Sequence, residues 1–313
     1  MDLSQLSSRA IIGRFYETLE IAEGESWAQQ VSFESPSDQA SETYKFLGQS
    51  PRMREWLAGR QAKALRVNGF TIENTKYEFT MDITLDDIRR DKTSQIMVRV
   101  DEAADAAGED HWAKLLSTLI TTNGTCYDGQ NFFDTDHSEG DSGTQTNALT
   151  ASEIAALNVT TTGDVSAVEA MKIMLGLASY FTRYKDDRGE PINGNANQFV
   201  VVVPPELHPG FQEAAVSKFL TGNAGAENAI KGSGMNFRVV SNARFTGATV
   251  GYIFRIDGRV KPFIRQIEVP LETQMIGEGS EHEFTYDSWL FGGKMVGNVG
   301  LGLWQHAIQF TVS

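Results

Sequence analysis

The sequence predicts an α+β fold, on three observations. Tyr77, Phe79, Met81, Ile83 and Leu85 alternate with Glu78, Thr80, Asp82 and Thr84, the period-two pattern of a strand with one dry face. Trp112, Leu115, Leu116, Leu119 and Ile120 recur at i, i+3, i+4, i+7 and i+8, which lays one apolar stripe along a helix. The run QFVVVV at 198–203 is strand-sized and ends at Pro204-Pro205, a pair that neither continues a helix nor donates to a ladder.

Taken in order, residues 1 to 50 are mostly polar, with one helical stretch, AIIGRFYETLE, and a Ser-, Glu- and Gln-rich tract, SFESPSDQASET. A segment of that composition buries too little apolar surface by itself to offset its ordering entropy. Neighbouring copies of the chain are the first candidates to hold it. Asn68-Gly69 and Asn74 supply turn chemistry before the alternating strand. That strand belongs to a long two-stranded excursion whose dry face needs a partner. Residues 93 to 122 read as one helix of about 40 Å, with Gly108 marking a kink or break and Asn123-Gly124 a C-terminal stop. Residues 138 to 164 are a Ser/Gly/Thr/Asn-rich loop. Val165–Tyr184 is helical, with Val168, Met171, Met174, Leu175 and Ala178 on one side. HPGFQEAAVSKFL is a short helix with Pro209 near its start. FRVVSNARF and TVGYIFRID are strands, and the tail to residue 313 is strand-rich with glycine-loosened stretches.

Composition excludes several function classes. With 41% hydrophobic and 22% charged residues the chain is globular rather than disordered. No apolar run reaches the length of a membrane span, and MDLSQLSSRA has no apolar core of a secretion signal, so the protein is expected to stay where it is made. The formal net charge of −14 argues against gripping nucleic acid, since phosphate affinity comes from Lys and Arg. It leaves open a protein that encloses DNA without adhering to it. The single cysteine, Cys126, forms no intrachain disulfide and reads as a small packed apolar residue.

The segment CYDGQNFFDTDH (126–137) carries the densest chemistry. Asp134, Asp136 and His137 are the candidate ligands of a divalent metal, but no HExxH or second paired histidine completes such a set. The plainer reading is a polar turn whose carboxylates cap backbone amides while Phe132 and Phe133 pack inward. No G-x-S-x-G elbow or GxxxxGK[ST] loop occurs. The glycines of GGKMVGNVGLG lack the strand–turn–helix context of a nucleotide site. Arg52, Arg54, Arg60, Arg89 and Arg90 form weak basic clusters better read as ion-pair surface, with no interleaved aromatics for base stacking. No catalytic residue and no cofactor is assigned.

The strings REWLAGRQAKAL, GFTIENTKYEFTMDITLDDIRRD and CYDGQNFFDTDH closely resemble the major head subunit (T protein) family of Mu-like phages and prophages. FVVVVPPEL, GRVKPFIRQ and GLGLWQHA resemble the same family, and the likeness runs from about residue 9 to the end. The resemblance implies an HK97-type major capsid fold, with an N-terminal arm (1–50), an extended E-loop hairpin (51–92), a P-domain with spine helix (93–150), an A-domain (151–255) and a P-domain return with closing strands (256–313). It implies self-assembly into pentamers and hexamers of an icosahedral shell around double-stranded DNA, in a virion assembled in the bacterial cytoplasm. The implied partners are other copies, a scaffold or protease protein expected to be separate from this chain, a portal and a decoration protein, with no membrane and no sequence-specific DNA contact. Phe15, Tyr16 and Trp27 in the arm, with Tyr77, Phe79 and Met81 in the hairpin, are the expected assembly contacts. Some shells of this type join an E-loop lysine to a neighbour's asparagine. Lys63, Lys76 and Asn298 occupy such regions, but no carboxylate base is identifiable and no cross-link is expected. Two rivals are an encapsulin-like compartment and, more remote, a metal-dependent enzyme built on Asp134, Asp136 and His137.

Overall fold

A computed structural model describes residues 8–45, 69–90, 95–155, 164–220, 227–247 and 249–312. In chain order these form α1 (Ser8–Glu25), α2 (Trp27–Val31), β1 (Ser32–Pro36), β2 (Ser41–Lys45), β3 (Gly69–Glu73), β4 (Thr75–Thr84), α3 (Leu85–Arg90) and α4 (Gln95–Asp105). A π-turn (Ala106–Asp110) leads into α5 (His111–Thr122), followed by β5 (Ala148–Thr150), α6 (Ala151–Ala155), α7 (Ala167–Phe181), β6 (Gln198–Val203) and α8 (His208–Val216). Then come α9 (Ala229–Ser233), β7 (Asn236–Ser241), β8 (Val250–Arg255), β9 (Phe263–Ile276), α10 (Glu281–Tyr286), β10 (Ser288–Leu301), a 3-10 turn (Trp304–His306) and β11 (Ala307–Thr311). The content is α+β, as the sequence predicts.

The chain divides into two compact units. The first gathers residues 1–42, 72–118 and 265–300, around a sheet of order β1-β9-β10-β4. The alternation of residues 77–83 is realised in β4: Tyr77, Phe79 and Met81 are half-buried, Ile83 is buried, and the intervening polar residues are exposed. Leu85 does not extend the strand but opens α3, whose acidic first turn (Asp86, Asp87) and basic last turn (Arg89, Arg90) suit the helix dipole.

Among the described residues the strand forms no self-contained hairpin. β4 runs antiparallel to β10, with Ser288 opposite Thr84 and Gly297 opposite Thr75. The two-stranded ladder lies one segment earlier, between β2 and β3. Asn74 alone separates β3 from β4; its side chain donates to the Gln39 carbonyl (2.7 Å) and accepts from Gln266 Nε2 (2.7 Å). Much of the expected 51–92 hairpin, including Arg52, Arg54, Arg60 and Lys63, lies outside the described residues.

The arm corrects a second expectation. Rather than waiting for a neighbour, α1 buries Ile11, Phe15 and Leu19 against Val100 and Ala104 of α4 and Phe291 of β10. Their i, i+4, i+8 spacing makes the stripe, but the surface that receives it comes from residues far along the chain. Phe15 stacks on Phe79 (5.6 Å) and meets Phe291 edge-on (5.4 Å). Two glycines permit the close approach. A Cβ on Gly108, inside the π-turn, would sit 3.1 Å from Ala22 and 3.2 Å from Leu19. One on Gly293 would sit 2.6 Å from the Phe79 ring. Gly293→Ala is therefore expected to destabilise this unit by about 1–3 kcal/mol through overpacking, read as a lowered urea midpoint. The expected 93–122 helix is one path in three pieces, α4, π-turn and α5, and the predicted break falls at Gly108.

The second unit gathers residues 43–71, 119–264 and 301–313, around a mixed sheet of order β5-β11-β8-β6-β7. β6 pairs parallel with β7 and antiparallel with β8, which makes it a central strand, and Phe199 through Val203 are all buried. A strand covered on both faces reads as a continuous apolar run. α7 starts at a capping box, in which Ser166 Oγ accepts from Glu169 N (3.3 Å) and the Glu169 carboxylate accepts from Ser166 N (3.0 Å). Beyond the expected stripe, Ile173, Leu177 and Phe181 of α7 are also buried, because α6 and α8 pack against it as well.

Candidate functional site

The six expected assembly residues occupy different environments. Phe15 is fully buried and Trp27 nearly so within the chain itself. Tyr16 is 41% exposed, its hydroxyl within hydrogen-bond distance of the Thr273 hydroxyl (3.2 Å). Met81 packs against the core of the first unit, and Tyr77 and Phe79 line an apolar cavity of ≈ 190 Å³ together with Ala103, Ala107, Leu271 and Met295. Phe79 thus packs against this unit's own core.

Ion pairs pin the arm from outside. Arg14 forks onto Asp101 with bonds of 2.7 and 2.8 Å, and Thr18 donates to the same carboxylate (2.7 Å). The bond from Arg14, above all, holds the Asp101 carboxyl below its ordinary value, against a smaller opposing effect of burial. A carboxyl lowered in the folded state stabilises above its unfolded pKa, and that contribution is lost as pH falls through the lowered value.

The 126–137 segment folds as a hydrogen-bonded turn, with bridges Thr125–Asn131 and His137–Gln145 at its ends. His137, fully buried, stacks on Trp304 (4.0 Å, 8° between planes). Its Nδ1 lies 2.6 Å from Asp128 Oδ2 and its Nε2 3.2 Å from Asn147 Oδ1. The Asp134 oxygens accept from the backbone amides of Thr135 (2.7 Å) and Asn131 (3.3 Å), and Asp136 is exposed. Asp134, Asp136 and His137 are thus not brought together. Among the described residues no three His, Cys, Asp or Glu side chains converge on a possible metal position. Phe132 and Phe133 pack inward against Phe263 and Tyr252. Burial, followed by the charge of Asp128, pushes the Cys126 thiol far above its ordinary value, which leaves it a poor nucleophile.

A third cluster surrounds buried Arg255. Its Nε donates to Asp257 (2.5 Å) and its Nη1 to Asn193 (2.7 Å). His306 packs nearby, with Nδ1 2.8 Å from the Val260 carbonyl. Burial, then the charge of Arg255, pushes His306 down to about 4. An unfolded histidine titrates near ~6.5, so the folded protein binds fewer protons between the two values. Stability should fall as pH drops from about 6.5 and level off below about 4, by roughly 3 kcal/mol in all. Urea midpoints at pH 7 and pH 4.5 measure this, and His306→Gln is expected to flatten the slope.

The cross-linking candidates are placed only in part. Lys76 is exposed on β4, and Asn298 Nδ2 donates to the Glu73 carbonyl (2.9 Å). Gly292, Gly293 and Gly297 lie in the β10 ladder rather than in a phosphate-binding turn. Sequence reasoning missed α10, where Phe284 is 93% and Tyr286 69% exposed. Its legible signal was Ser280-x-x-Glu283, a capping-box pattern inside the strand-rich tail.

Comparison with known proteins gives one family. The family model described as Mu-like prophage major head subunit gpT matches residues 6–162 and 225–311. The Mu-like prophage FluMu major head subunit of Haemophilus influenzae is 34% identical over 135 residues, 43% of this chain and 44% of that protein. The major capsid protein of Escherichia phage Mu is 34% identical over 104 residues, 32% of this chain and 33% of that protein. The alignments thus span less than half the length of either relative. Among solved structures, the procapsid of bacteriophage JBD30 matches 97% of this chain and 75% of its own at a TM-score of 0.53 and 23% identity. The mature capsid of bacteriophage PhiM1 matches 92% and 87%, at 0.56 and 12%. A virus-like particle from Pyrococcus furiosus matches 95% and 96%, at 0.53 and 8%. At such identities the likeness is one of fold, and the shared fold is that of capsid subunits.

Proposed function

Because the chain belongs to the Mu-like prophage major head subunit gpT family, we propose that it is the structural unit of a phage head, closing as pentamers and hexamers into an icosahedral shell around double-stranded DNA. The family match over most of the chain carries this reading. The HK97-type fold supports it, and so does the net charge of −14, which suits a wall that must not adhere to packed phosphate. In this reading the parts of the chain take the names arm, E-loop, P-domain and A-domain. Tyr16, with its partly open ring, is the arm's outward contact, while Phe15 and Trp27 stiffen the subunit that presents it. A scaffold or protease protein, a portal and a decoration protein complete the particle, which is built in the bacterial cytoplasm. The work is done by burial between copies, at about 25 cal/mol per Å² of apolar surface, and no bond-making step is assigned to the chain.

The test is electron microscopy of particles purified from cells expressing the chain with its neighbouring genes. Closed shells containing nuclease-protected DNA are expected. Shells filled with protein cargo would instead identify an encapsulin-like compartment, and a chain that never forms shells would refute both.

A further inference from the structure

The connection between β9 and β10 is built to display aromatic rings. Ser280 Oγ accepts from Glu283 N (3.1 Å), and the Glu283 carboxylate accepts from Gly279 N (2.5 Å), which closes the start of α10. Asp287 ends it in the left-handed region (φ 51°) and accepts from Leu85 N (2.9 Å), the first residue of α3. His282 packs on Tyr286 (4.7 Å). A turn fixed at both ends nevertheless holds Phe284 93% and Tyr286 69% exposed. Water gains nothing from that arrangement; a partner would.

Charge says which partner. From Glu278 to Asp287 there are four carboxylates and no Lys or Arg, so two such turns repel one another. The same end of the β4–β10 ladder, where Thr84 pairs with Ser288, also starts α3. That helix ends in Arg89 and Arg90, whose side chains are 61% and 78% exposed and, among the described residues, share the single carboxylate of Asp86. One surface therefore carries an acidic aromatic knob beside the two exposed arginines that end α3, and a rotated copy can match each to the other. Contacts of this head-to-tail kind close into rings when the rotation between copies closes.

We propose that α10 is a docking knob for a second copy of this chain, with Phe284 and Tyr286 seated against α3 of the neighbour and Glu281 facing its Arg89 and Arg90. This rests on the shell reading above, and the test separates the two. Chains carrying Phe284→Cys are mixed with chains carrying Arg90→Cys, and a short bis-maleimide is added; buried Cys126 stays silent. Mixed cross-linked dimers are expected. Their absence from a sample whose micrographs contain shells would overturn the contact and leave the shell reading standing. Dimers without shells would support the contact and count against the shell, and neither would overturn both. Independently, Phe284→Ser is expected to fold like the parent by circular dichroism yet raise the concentration needed for assembly by roughly tenfold or more. An unchanged assembly concentration would overturn the knob.

Discussion

Phe15→Ala is expected to cost the first unit about 3–5 kcal/mol, the usual range for removing a fully buried phenylalanine. The ring has no exposed surface and lies in one aromatic cluster with Phe79 and Phe291. Removing it leaves α1 joined to α4 chiefly through Ile11, Leu19 and the exposed Arg14–Asp101 pair. Exposed pairs contribute little, so the arm should detach before the sheet melts. Native-state hydrogen exchange measures this directly. Protection of the α1 amides should collapse in the variant while β6 and β8 keep theirs. If α1 protection survived, the arm would not depend on this ring.

Asn147→Leu should be as damaging to the second unit. The side chain is fully buried and acts as a hub. Its Nδ2 donates to the carbonyls of Phe132 (2.7 Å) and Ala307 (3.3 Å), and its Oδ1 accepts from Asp134 N (2.8 Å) and faces His137 (3.2 Å). Leucine replaces none of these and leaves several buried polar groups without partners. Each such group costs about 1–3 kcal/mol, so a loss of about 3 kcal/mol or more is expected in urea unfolding. A loss below about 1 kcal/mol would mean that water reaches these groups and that the segment is not a packed strut.

What could be read beforehand was whatever depends on short-range periodicity. The Trp112–Ile120 stripe, the β4 alternation and the double-proline end of β6 each describe an element by itself. The strands β1 and β2 were hidden because the tract SFESPSDQASET has a polar composition, and their pairing comes from β9 and β3. The arm reads as weak because its helical stretch AIIGRFYETLE is legible whereas the surface that receives Ile11, Phe15 and Leu19, assembled from α4 and β10, is not. The surroundings of His137 were hidden for a related reason. Asp134 and Asp136 are adjacent in sequence to His137, yet the partners of the ring are Asp128, Asn147 and Trp304, one of them more than 160 residues away.

Although Phe15 of the arm and Ile83 of β4 are buried within the chain, this subunit carries surfaces that are satisfied only by further copies. Sedimentation velocity across a concentration series of the purified chain tests it most directly. The account predicts a sharp, cooperative transition from subunits or small rings to one large closed species, with little between them. A chain that sediments as a monomer to the highest concentration reached, or that grows without a limiting size, would contradict it.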